Sequence, residues 1–128
     1  MGVMDFLKHH KNPISSLNAQ RAAAKNVLSR AFNNPGPLFN SARKAIIEKW
    51  IKNFIRNLDA AVTAIQAGQG MNGLPISRAD IGSGLVRICN EYSRPEVLMR
   101  LEEVCGPECC SSMKEVIDNV RSIAGLIR

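Results

Sequence analysis

Residues 41–67 read SARKAIIEKWIKNFIRNLDAAVTAIQA, and this stretch decides the fold class. At about 100° per residue, Ile46, Ile47, Trp50, Ile51, Phe54, Ile55, Leu58, Ala61, Val62 and Ile65 fall within about half of a helix circumference. Lys49, Lys52 and Arg56 gather within about 60° on the opposite side. One face is therefore built to pack and the other to present cations. The pattern predicts a helix that begins at Asn40 or Ser41, runs to Ala67 and stops at Gly68. Glu48 precedes Lys52 by one helical turn and can pair with it, which weakens the cationic row without cancelling it.

Immediately upstream, Asn33-Asn-Pro-Gly-Pro37 is dense in turn residues, and its prolines each remove a backbone donor. Before it, Leu17, Ala24, Val27, Leu28, Ala31 and Phe32 recur at helical steps, which predicts a shorter helix over 16–32 capped by Ser15 or Ser16. Arg21, Lys25 and Ser29 form a separate row on that helix. The first fourteen residues, MGVMDFLKHHKNPI, read as a flexible basic arm ended by Pro13. Met1-Gly2 does not fit a myristoylation signal, because Phe6 stands where Ser or Thr is wanted.

Downstream, Gly68-Gln-Gly-Met-Asn-Gly73 reads as a linker, since it lacks the following Lys-Ser/Thr and the preceding strand of a phosphate-binding loop. Three shorter helices are then signposted by caps. Ser77-Arg-Ala-Asp80 introduces Ile81, Leu85, Ile88 and Tyr92, with Gly82 and Gly84 weakening the helix. Ser93-Arg-Pro-Glu96 leads into Val97, Leu98, Leu101 and Val104, and Gly106-Pro107 stops it. Ser112-Met-Lys-Glu115 starts a terminal helix carrying Met113, Val116, Ile117, Val120, Ile123, Ala124 and Ile127. The expected fold is all-α with about five helices. The long helix near 41–67 would pack with the 16–32 helix and a C-terminal three-helix group. With 128 residues, 45% of them hydrophobic, one domain is expected over 1–128: an arm at 1–14, a basic half at 15–68 and a near-neutral half at 74–128.

Charge divides along the same line. Residues 1–60 carry ten Lys/Arg against three acids, whereas residues 61–128 carry seven against eight. A basic half points to a polyanionic partner, either nucleic acid or an anionic membrane surface. Arg21, Lys25, Arg43, Lys44, Lys49, Lys52 and Arg56 are the expected phosphate contacts, because cations in helical rows can follow a backbone without reading bases. Only 5% of residues are aromatic, and those of the long helix lie on its apolar face, which disfavours base stacking on single strands. The leading expectation is a non-catalytic RNA- or duplex-binding protein of low sequence specificity, of a size and charge that suit a small viral accessory protein. The alternative is a protein-interaction or peripheral membrane adaptor acting through the amphipathic basic helix. The width of the apolar arc also raises a homodimer, since one neighbouring helix would not cover it.

The remaining chemistry is sparse. No GxxxxGK[ST], HExxH or GxSxG motif occurs, and neither a catalytic residue nor a small-molecule substrate is expected. Cys89, Cys105, Cys109 and Cys110 lack paired CxxC spacing, and His9 and His10 lie far away in sequence. The thiols therefore read as packing or helix-end residues, with a zinc site as the sharper alternative and no metal or cofactor expected. Without a long apolar run or a signal-like N-terminus, the chain is expected to be soluble and intracellular.

Overall fold

The computed structural model describes residues 12–68 and 73–127. It is all-helical, with four helices among the described residues: α1 (Pro13–Arg30), α2 (Ser41–Ala67), α3 (Arg78–Tyr92) and α4 (Pro95–Ala124). The expected arm falls largely outside the described residues, as do positions 69–72 of the expected linker.

α1 starts earlier than its serines suggested. Asn12 is the cap, its side-chain oxygen accepting from the Ile14 amide at 2.9 Å, and Pro13 occupies the first helical position. Proline is well placed there because its missing N–H would have had no partner and its φ is already helical. Ser16 is buried instead of capping, and the helix ends at Arg30.

α2 matches its expected bounds. The Asn40 side chain accepts from the Arg43 amide at 2.8 Å, and Gly68 closes the helix at φ 67°. That left-handed conformation is one glycine adopts readily. Ile47, Ile51, Phe54, Ile55 and Leu58 are buried, so most of the apolar arc is core, whereas Ile46 at its edge is 48% exposed. α1, α3 and α4 all pack against α2 within one chain. Together these neighbours cover most of the arc.

α3 is capped by Ser77, whose hydroxyl accepts from the Asp80 amide at 3.1 Å. Gly82 is buried against the end of α4. A Cβ there would come within 2.8 Å of the Ala124 carbonyl oxygen and 2.9 Å of that of Ile127. Its helix-weakening effect is offset by the close approach it permits.

The last two expected helices form one kinked element. α4 runs on through Gly106, whose φ of 90° and ψ of 167° break the helix locally before Pro107 restarts it. The expected stop is thus a kink, and the terminal segment begins well before Ser112. Nor does Ser93 cap α4: Arg94 occupies that position without a side-chain cap bond. Ser93 ends α3 and accepts from the Arg121 guanidinium at 2.8 Å.

The kink is filled by the α1–α2 loop. The Gly36 amide donates to the Val104 carbonyl at 3.1 Å and the Leu38 amide to that of Glu103 at 2.8 Å. These carbonyls would have accepted from residues 108 and 107 in an unbroken helix. A Cβ on Gly36 would run into the Glu102 and Glu103 carbonyls, and one on Gly106 into the Asn34 carbonyl.

Candidate nucleic-acid interface

An ion pair joins α1 and α2 across the seam between these helices. Arg21 Nη1 on α1 lies 2.6 Å from Asp59 Oδ1 on α2, with both side chains more than a third exposed. This pair sets the α1 flank bearing Arg21 and Lys25 beside the α2 flank bearing Asp59, Lys52 and Arg56. By helical geometry, Lys49 sits with Lys52 and Arg56 on the outward crest of α2.

The seven expected contact residues divide by their partners. Lys25, Lys49 and Arg56 are exposed and, among the described residues, have no ion pair. Lys44 and Lys52 share Glu48, at 3.8 Å and 4.0 Å respectively, and Lys52 remains 59% exposed. Lys44 also stands over the Phe32 ring, 5.4 Å from its centroid. Arg21 is matched by Asp59. Arg43 does not join the crest: its guanidinium donates to the Leu38 carbonyl at 3.1 Å and steadies the loop that fills the kink.

Arg30 is a further exposed cation without an ion pair among the described residues, at the end of α1. It lay outside the Arg21–Lys25 row, and only the fold places it at the mouth of a cleft between α1 and α4. That cleft, of about 640 Å³, is polar, with Gln20, Asn34, Glu108, Ser112 and Asn119 on its walls. The Asn119 amide nitrogen donates to Gln20 Oε1 at 3.3 Å, and its own oxygen is buried without a hydrogen-bond partner. No periodicity in the sequence marks these residues as neighbours.

A second concavity, of about 450 Å³, lies between α2 and α3. Its floor is apolar, with Ala61, Ala64, Ile81 and Leu85, and Arg56, Asp59 and Asp80 stand among its lining residues.

The cysteines occupy three surroundings. Cys89 is buried between α3 and α4, and burial pushes its thiol up to about 11, with Arg121 opposing the rise. Cys110 donates to the Leu98 carbonyl at 3.2 Å, and partial burial raises its thiol. Cys105 and Cys109 flank the kink, and the interaction between the two thiols holds that of Cys109 below its ordinary range and raises that of Cys105, which burial raises further. Among the described residues, no three His, Cys, Asp or Glu side chains come together as a set that could hold a metal ion. None of the helices described is long and apolar enough to cross a membrane.

No protein-family model, curated protein or solved structure matches this chain.

Proposed function

We propose that this protein is a non-catalytic nucleic-acid-binding protein that holds the phosphate backbone of RNA or a duplex with low sequence specificity. The observation that carries the reading is the unpaired state of Lys25, Lys49 and Arg56 on the outer side of the α1–α2 layer. Exposed cations without carboxylate partners keep their charge for an outside anion, and each phosphate they neutralise releases condensed counterions. The helix that bears two of them has 27 residues, or about 40 Å at 1.5 Å rise per residue, close to one turn of a duplex. Lys52 adds to the row because its contact with Glu48 is long and largely solvated.

The adaptor reading draws on one specific observation, the apolar groove between α2 and α3, whose form suits a small apolar anchor from a protein partner. An interfacial membrane helix is less well supported, since the apolar side of α2 that would enter a bilayer is occupied by the core.

Fluorescence anisotropy with labelled duplex and single-stranded RNA across a salt series tests the proposal. Binding to duplex should weaken as salt rises, and Lys25→Glu/Lys49→Glu/Arg56→Glu should abolish it while circular dichroism stays native. Folded wild-type protein that binds neither RNA at low salt overturns the reading.

A further inference from the structure

The cleft between α1 and α4 has a dithiol at its base. Cys105 and Cys109 both line it, on either side of the Gly106–Pro107 break, at 2% and 8% exposure. The Cys105 thiol donates to the Leu101 carbonyl at 3.0 Å, and its sulfur shares the cleft lining with that of Cys109. In an unbroken helix, β-carbons four residues apart stand about 5–6 Å from each other. A disulfide needs about 3.8 Å. The positive-φ turn at Gly106 interrupts that rigid spacing. Cys109 also falls in the first turn of the segment that Pro107 begins, where free amide N–H groups favour a thiolate.

We propose that Cys105 and Cys109 form a redox-active dithiol, oxidised to an intramolecular disulfide by a small disulfide that enters the α1–α4 cleft. The Cys109 thiolate attacks one sulfur of R–S–S–R, forming Cys109–S–S–R and expelling the first RS⁻. Cys105 then loses its proton and attacks the Cys109 sulfur, expelling the second RS⁻. Two electrons pass from the dithiol to the small disulfide, and the two thiol protons end on two RSH. Cys110 is an internal control. It is more exposed than Cys109 but does not line the cleft, so oxidation governed by exposure alone would begin there.

The test is to incubate the folded full-length protein with glutathione disulfide, alkylate the remaining thiols and map the products by peptide mass spectrometry. The expected product has lost two hydrogens, a shift of about 2 Da, in one Cys105–Cys109 bond, with Cys89 and Cys110 alkylated. Cys105→Ser, and separately Cys105→Ala in case the first variant is unstable, should stop at a single glutathione adduct on Cys109. All four thiols alkylated in the native wild type, or a first adduct on Cys110, overturns the proposal.

Discussion

The Leu38 amide donates to the Glu103 carbonyl at 2.8 Å, taking the acceptor that Pro107 cannot serve in its own helix. A proline kink in one helix is thereby satisfied by the loop between two others. Gly36 and Gly106 permit the approach. Gly106→Ala would place a side chain at φ 90° and against the Asn34 carbonyl, and should cost about 3 kcal/mol in urea denaturation. Gly36→Ala should also destabilise, because its Cβ would meet the Glu103 carbonyl.

Two glycines in α3 should respond with opposite signs. Gly82→Ala drives a methyl group into the Ala124 and Ile127 carbonyls and should lower stability by about 1–3 kcal/mol. Gly84→Ala meets nothing within 4 Å and should stabilise by about 0.5–1 kcal/mol through helix propensity. Thermal melts of the two variants decide the matter, and equal effects would contradict the packing described.

Arg121 ties the end of α3 to α4. It donates to Ser93 Oγ at 2.8 Å and to the Cys89 carbonyl at 3.4 Å, while pairing with Asp118 at 2.9 Å. Arg121→Ala should cost about 1–2 kcal/mol, since most of its partners are half-solvated. Faster amide exchange confined first to the last turn of α3 would locate the loss.

Alkaline pH should destabilise the fold. Cys89 is held at about 11 against an ordinary value of 9.0, so the unfolded chain ionises first. The stabilisation is complete below about pH 9 and is lost as pH rises through about 11, a total of roughly 3 kcal/mol from this group. Tyr92 and Cys110, also raised by burial, act in the same direction. Denaturation midpoints measured from pH 8 to 11 should fall, and Cys89→Ala should flatten that fall.

Asp59→Asn offers a gain-of-function check on the proposed interface. It frees Arg21, should cost less than about 1 kcal/mol because the pair is solvated, and should steepen the salt dependence of RNA binding by about one unit. An unchanged slope would argue that Arg21 stays out of the contact.

What the sequence determined by itself was local. The repeat of Ile, Phe and Leu from Ile47 to Ile65 defined α2 and its inward side, and Asn40 and Gly68 marked its ends, because periodicity and capping depend only on near neighbours. The cationic row on α2 was legible for the same reason. Tertiary structure decided what depended on distant partners. It neutralised Arg21 with Asp59, turned Arg43 toward the Leu38 carbonyl and moved Ser93 from a cap to a support for Arg121. It also made Gly106–Pro107 a kink instead of a stop, since amides of Gly36 and Leu38 supplied the donors that the break removed. Hydrogen bonds between segments some seventy residues apart leave no periodic trace in the chain, so only the folded arrangement could reveal them.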